Sequence, residues 1–226
     1  MLSTPIVKDL DIDKVYEPAE DTFLFLDMFE QLHEEQYFTN LNSDSTANFV
    51  LEIGSGSGLI TTFIAQHNII PRSYNLVSDI NIVALRTTLN TFNDNTENTN
   101  CDALRCNLAD SIRSNQINYL LFNPPYVPSE EIPSIPDADD ISNTAWVDLA
   151  LVGGNDGMLI TNNLLNSLNN ILAINGEAYI LFCARNKHHQ VVENFESEWT
   201  NFQVNCVIQR KCGWEELAIY RFKKMS

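Results

Sequence analysis

Five short apolar, β-branched runs recur along the chain, at residues 49–53, 74–78, 103–106, 119–122 and 178–183, with polar intervals of helix length between them. The runs are continuous and not alternating, which is the pattern of parallel strands covered by helices on both faces. Near the end, F-Q-V-N-C-V-I-Q and E-L-A-I-Y-R-F flank R-K-C-G-W, predicting an antiparallel hairpin around Gly213. Seven strands result, five joined by crossovers and two closing as a hairpin. Repeated right-handed crossovers make an open α/β sheet. A leading helix over 21–36 carries Phe23, Leu24, Leu26, Phe29 and Leu32 toward that sheet. The polar tract 90–100 reads as a surface loop before the third strand. The segment 129–144 is long, acidic and broken by proline, as binding loops and lids often are.

Composition narrows the class. A chain of 226 residues with 44% hydrophobic and 10% aromatic content is expected to form one domain. Residues 1–47 form an N-terminal extension and helix, and 48–226 the core. No run approaches the ~18 apolar residues of a membrane span, and the N-terminus has neither a basic patch nor an apolar core. Cysteines 101, 106, 183, 206 and 212 are odd in number and form no C-x-x-C pair. Free thiols in a reducing compartment, cytosolic or nuclear, are expected, and no metal site in this chain. Thirteen basic residues against thirty acidic give −17, a field that repels phosphate backbones and favours basic partners or simple solubility.

Candidate chemistry starts where the first strand runs into L-E-I-G-S-G-S-G-L. Gly54, Gly56 and Gly58 let the backbone approach a ligand closely. The spacing is G-x-G-x-G, not the G-x-G-x-x-G of a dinucleotide fold. Glu52, at the strand end, is placed to accept from an ammonium group; alternatively it caps the following helix. Asp79 ends the second strand, where an acid hydrogen-bonds the hydroxyls of a ribose, or caps the helix beginning near Asn81. Glycine loop and acid together indicate an adenosine cofactor, and the loop spacing favours S-adenosylmethionine.

The fourth run ends in L-L-F-N-P-P-Y, residues 120–126. Two prolines cannot continue a central strand, so the chain leaves the sheet at Asn123. In such a sheet the fourth strand neighbours the first, which brings Asn123 beside the glycine loop. A planar nitrogen is a poor nucleophile because its lone pair is delocalised. The Asn123 side-chain oxygen and the Pro124 carbonyl would accept its two N–H groups and favour positive charge developing on nitrogen. The prolines hold that carbonyl rigidly, and Tyr126 covers the planar group with its ring.

These motifs resemble the HemK-like glutamine methyltransferases, and among them the eukaryotic release-factor branch. The matching stretches are V-Y-E-P-A-E-D-T-F (15–23), L-E-I-G-S-G-S-G (51–58), D-I-N (79–81), F-N-P-P-Y-V (122–127), G-G-N-D-G (153–157) and G-W-E-E-L-A-I-Y-R-F (213–222). The resemblance implies a seven-stranded Rossmann-like methyltransferase fold, strand order 3-2-1-4-5-7-6, with strand 7 antiparallel. It implies that Thr22, Glu52, Gly54, Gly56, Asp79, Asn107, Leu108 and Asn123 bind S-adenosyl-L-methionine, with S-adenosyl-L-homocysteine as product. Asn123, Pro124 and Tyr126 would hold the glutamine amide. Where the family has Asp-Leu after the third strand, this chain has Asn107-Leu108. Family members pair with a small zinc-binding activator subunit, here expected along the edge of the third strand, about residues 101–107. The implied substrate is the glutamine of the G-G-Q loop of a class-I release factor. N6-adenine methylation, lysine methylation of a basic protein such as a histone, and a non-catalytic scaffold are the alternatives. The charge of −17 counts against the nucleic-acid reading, and the intact Asn123–Tyr126 motif against the scaffold.

Overall fold

The computed structural model describes residues 1–41, 46–97, 100–137, 140, 144–213 and 215–225. Its strands are β1 (Asn48–Ile53), β2 (Ser73–Asp79), β3 (Cys101–Arg105), β4 (Ile117–Phe122), β5 (Val127–Pro128), β6 (Val152–Gly154), β7 (Leu172–Cys183), β8 (Phe202–Cys212) and β9 (Glu215–Lys224). The helices are α1 (Glu20–Glu34), α2 (Tyr37–Leu41), α3 (Leu59–Gln66), α4 (Ile82–Asn95), α5 (Ala145–Leu151), α6 (Leu159–Ile171) and α7 (His188–Glu198). No helix among the described residues is long and apolar enough to cross a membrane.

Seven strands form one sheet in the order β3-β2-β1-β4-β7-β9-β8, while β5 and β6 pair separately. Numbered within the large sheet alone, this is the expected 3-2-1-4-5-7-6, and β9 runs antiparallel to both neighbours. The apolar runs sit centrally because both their faces are covered. Side chains alternate between two cores, as the period of a strand requires. Val50, Leu121, Tyr179 and Leu181 pack with Phe25, Phe29, Phe38 and Phe63 on one side. Leu51, Leu120, Phe122, Ile180 and Phe182 pack with Leu164, Leu168 and Phe195 on the other.

Several expectations need correction. The tract 90–100 is not all loop, because α4 runs on to Asn95 and buries Thr91 and Phe92. Its asparagines mask the helix since they fall on the solvent side. Phe23 does not face the sheet; it is 40% exposed, while Phe25 and Met28 take the buried stripe. The fifth strand of the large sheet begins at Leu172, earlier than expected, since Leu172 pairs with Ile117 before an irregularity in register where Asn175 takes φ +62°. His188 heads α7 and is buried, its Nδ1 3.0 Å from the Tyr220 hydroxyl. The terminal hairpin turns at Gly213 with φ +59°, and Trp214 lies outside the described residues.

Gly58 packs the N-terminal end of α3 against α4. It precedes α3 with φ +78°, and a Cβ there would lie 2.6 Å from the Thr88 Cα. Gly58→Ala therefore adds left-handed strain to a clash with backbone, and a loss of roughly 2–4 kcal/mol is expected. Denaturant unfolding checks this; a variant as stable as wild type would contradict it.

Candidate active site

The sheet delivers its polar residues to one level. Ile53 pairs with Ser78 on one side and Phe122 on the other, so Gly54, Asp79 and Asn123 each follow directly at the carboxyl ends of β1, β2 and β4. Strand order reverses between β1 and β4, and an open α/β sheet has its crevice at such a switch point. Thr22, Glu52, Gly54, Gly56, Asp79, Asn107, Leu108, Asn123, Pro124 and Tyr126 all line a cavity that opens there.

The glycine loop is tied down from both sides. The Gly54 N–H donates to the Ser78 carbonyl at 2.7 Å, and the Gly56 N–H to Asp79 Oδ2 at 3.2 Å. Gly54 has φ +64°, and a Cβ built on it meets no protein atom within 4 Å, so the loop's concave side is open to the cavity. Asp79 is not the helix cap. Asn81 is, accepting from the Val83 N–H at 2.9 Å, and its own N–H donates to Asp79 Oδ1 at 2.8 Å. Asn81 Nδ2 reaches across to the Lys14 carbonyl at 2.8 Å, which seats Val15 and Tyr16 on the cavity rim. Leu108 takes φ +48°, its carbonyl accepting from the Ser78 hydroxyl at 2.8 Å. Asn107 beside it is exposed.

Glu52 braces the helix that follows it and also faces the cavity. Its Oε2 accepts from the Thr61 N–H at 3.0 Å and from the Thr61 hydroxyl, bracing the first turn of α3, while the residue lines the cavity. Burial pushes the Glu52 carboxyl up to about 7 despite the Thr61 hydrogen bonds. Burial likewise raises Asp79 to about 6, against the N–H groups of Asn81 and Gly56. Burial and the neighbouring Asp21 keep the Tyr126 phenol protonated.

The residue that motif reasoning missed is Asp21. It is 3% exposed in the first turn of α1, and its Oδ2 accepts from Asn123 Nδ2 at 3.0 Å. Its Oδ1 accepts from the Thr22 N–H at 2.7 Å, the Thr22 hydroxyl at 3.3 Å and the Tyr16 hydroxyl at 3.2 Å. A carboxylate only accepts, so Asn123 must present its NH₂ to Asp21 and its oxygen elsewhere. That oxygen, Asn123 Oδ1, is buried and has no hydrogen-bond partner among the described residues. The sequence signal was an acid beside Thr22, and a helix's first turn favours acids for other reasons.

Among the described residues of the 129–144 segment, apolar side chains and not acids meet the cavity. Ile132, Pro133 and Ile135 line it together with Trp146, whose Nε1 donates to the Asp140 carbonyl at 3.1 Å. Glu130 and Glu131 are exposed, and residues 138, 139 and 141–143 lie outside the described residues.

Asp21, Glu52 and Asp79 are all buried or cavity-facing acids, and none forms an ion pair among the described residues. By contrast the buried Glu177 has Lys223 Nζ at 3.0 Å. Buried charge without a counter-charge is costly. The cavity therefore suits a cationic ligand, and S-adenosylmethionine, with its ammonium and sulfonium, fits that donor set and the open glycine cradle.

The methyltransferase small domain model matches residues 35–135. The eRF1 methyltransferase catalytic subunit mtq2 of Schizosaccharomyces pombe is 36% identical, over 100% of this chain and 97% of that protein. Methyltransferase HEMK2 of Mus musculus is 28% identical, over 93% of this chain and 90% of its own. Among solved structures, that of the E. cuniculi Mtq2–Trm112 complex, described as methylating the eRF1 translation termination factor, superposes with a TM-score of 0.62. It is 22% identical and covers 94% of this chain and 99% of that one, a likeness of fold.

The raised carboxyl groups make ligand binding depend on pH. A cation is attracted only to the ionised acids, so affinity for S-adenosylmethionine is expected to rise as pH climbs through about 6 to 7. Without ligand the same groups act oppositely on stability. The folded protein holds protons that the unfolded chain releases near pH 4, so their contribution to stability falls as pH rises from about 4 to about 7. Calorimetric titration between about pH 5 and pH 8 checks the first statement; flat affinity would contradict it.

Proposed function

The chain belongs to the family of the eRF1 methyltransferase catalytic subunit Mtq2, and from that premise we propose that it methylates the side-chain amide of a glutamine in the G-G-Q loop of a class-I release factor. It is a methyltransferase, and methyltransferases of this family use S-adenosylmethionine. We assign the cofactor's ribose to Asp79, its amino-acid end to Glu52, Gly54 and Thr22, and its adenine to Asn107 and Leu108. Asn107 replaces the family's acid, so this last contact would be a neutral one. When bound, S-adenosylmethionine supplies the electrophilic methyl group and leaves as S-adenosylhomocysteine.

The observation that carries the reading is the buried, unpartnered Asn123 Oδ1, turned from Asp21 by the hydrogen bond its own NH₂ makes. An acceptor desolvated with nothing to accept costs on the order of 1–3 kcal/mol, which a substrate N–H would offset. With Asn123 Oδ1 and the Pro124 carbonyl each accepting one N–H, the planar amide is held against rotation. As the nitrogen bonds to the methyl carbon it becomes more positive, both hydrogen bonds strengthen, and catalysis comes from that difference. The methylated nitrogen then releases one proton to water, so no dedicated base is needed. Tyr126 is half-buried beside the pair and stays neutral, offering its ring to the amide plane.

We further propose that a small zinc-binding subunit adds to the sheet along β3, and that the enzyme works in the cytosol or nucleus. β3 has β2 on one side and is an edge of the sheet. The Asn75 N–H donates to the Asn100 carbonyl and Asn75 pairs with Cys101. In a parallel ladder that directs the N–H groups of Cys101 and Ala103 outward, where an added strand would take them. Ala103→Pro removes an outward donor while leaving those that face β2. Loss of the co-purifying subunit is expected, and its retention at wild-type levels would place the interface elsewhere.

For the chemistry, Asn123→Ala is expected to lower kcat for glutamine methylation by ~10²–10³, the scale for one preorganised group. The assay is radiolabelled methyl transfer to a release factor, with the modified residue mapped by mass spectrometry. Full activity of Asn123→Ala, or wild-type methylation of adenine or lysine in place of glutamine, would overturn the reading.

A further inference from the structure

The G-G-N-D-G stretch takes no part in the chemistry above, yet it packs directly behind the residues that do. A Cβ on Gly153 would lie 2.3 Å from the Pro125 carbonyl oxygen and 2.5 Å from that of Gly157. A Cβ on Gly157 would lie 2.0 Å from the Tyr126 carbonyl oxygen and 2.7 Å from Asn186 Nδ2. Backbone thus rests on backbone, with no space for even a methyl group. Short bridges between Val127 and Val152 and between Pro128 and Gly154 extend the contact.

Asn186 locks this arrangement. It is 2% exposed and lies beyond the end of β7. Its Nδ2 donates to the Tyr126 carbonyl at 3.1 Å and to the Asp156 carbonyl at 3.0 Å, and its Oδ1 accepts from the Cys183 N–H at 2.9 Å. One amide therefore ties the sheet, the glycine turn and the exit from β4 together, with both N–H groups used. Asp156 takes φ +56°, so its carbonyl is aimed by a turn that the flanking glycines permit.

We infer that Gly153, Gly157 and Asn186 form a positioning device that sets the Pro124 carbonyl and the Tyr126 ring for the reaction, an inference that rests on the proposed amide chemistry. The two prolines make the coupling mechanical. With φ fixed at both, the chain from Asn123 to Tyr126 has few soft torsions in which to absorb a displacement. Moving the Pro125 or Tyr126 carbonyl by a few tenths of an ångström therefore reorients the Pro124 carbonyl. Reacting groups need placement to about 0.5 Å, and a 1 Å error costs on the order of a hundredfold.

Two variants of the full chain test this. Gly153→Ala carries no φ penalty but drives a methyl group against the Pro125 carbonyl. Asn186→Asp keeps the acceptor for Cys183 and loses both donors. For each, kcat on a peptide containing Gly-Gly-Gln is expected to fall about tenfold to a hundredfold. The cofactor dissociation constant and the peptide KM should stay within about twofold, with activity counted per cofactor-binding site. Hydrogen exchange at Tyr126 and Val127 should accelerate. Unchanged kcat, or a fall matched by lost cofactor binding, would overturn the inference and leave a purely structural motif. If wild type methylates no glutamine, the functional reading fails on its own. Exchange at Tyr126 and Val127 then decides this one, which stands if both variants accelerate it and falls if neither does.

Discussion

A single hydrogen bond between side chains 102 positions apart, Asn123 Nδ2 to Asp21 Oδ2, sets the chemistry of the cavity. Carboxamide oxygen and nitrogen are nearly alike in shape, and only a neighbour that can solely accept or solely donate decides which faces a substrate. Asp21 makes that decision, and it is itself held by Thr22 and Tyr16. Its place depends on α1 lying against the sheet, and hence on Phe25, Met28 and Phe29 being buried. Core packing on one face of the sheet thereby determines the direction of one acceptor at its edge.

The same cavity concentrates buried acids that no cation among the described residues offsets. Glu177 is fully buried but receives hydrogen bonds from Tyr37 and Tyr179 and an ion pair from Lys223. Glu52 and Asp79 receive only N–H and hydroxyl groups, and their carboxyl groups are pushed up to about 7 and about 6. Stability alone would favour compensation at both places. Compensation withheld at the carboxyl ends of β1 and β2 is what a cationic ligand would complete, so the site gives up stability that binding restores.

Much of the fold was legible because the central strands are covered on both faces, and such strands announce themselves as unbroken apolar runs. The glycine loop and Asn123-Pro-Pro-Tyr126 were legible because glycine and proline have narrow backbone uses. What stayed hidden was hidden for physical reasons. Asn95 and its polar neighbours obscure the last turns of α4, whose buried side is only Thr88, Thr91 and Phe92. Asp21 reads as a helix-dipole acid until a partner on another strand is seen. Asn186 is hidden because two of its three hydrogen bonds, to the Asp156 and Tyr126 carbonyls, reach distant chain only after folding, and the local one from the Cys183 N–H marks no more than a turn. The 129–144 segment reads as acidic because charges dominate its composition, while Ile132, Pro133 and Ile135 are the described residues of it that line the cavity.

The central claim is that Asn123 Oδ1 and the Pro124 carbonyl together receive one planar NH₂. A crystal structure of the protein with S-adenosylhomocysteine and a peptide containing Gly-Gly-Gln tests it most directly. The account predicts the glutamine nitrogen within about 3 Å of both oxygens, with Asn123 Nδ2 still on Asp21. A glutamine bound away from these acceptors, or an Asn123 amide turned to offer its NH₂ to the substrate, would contradict it.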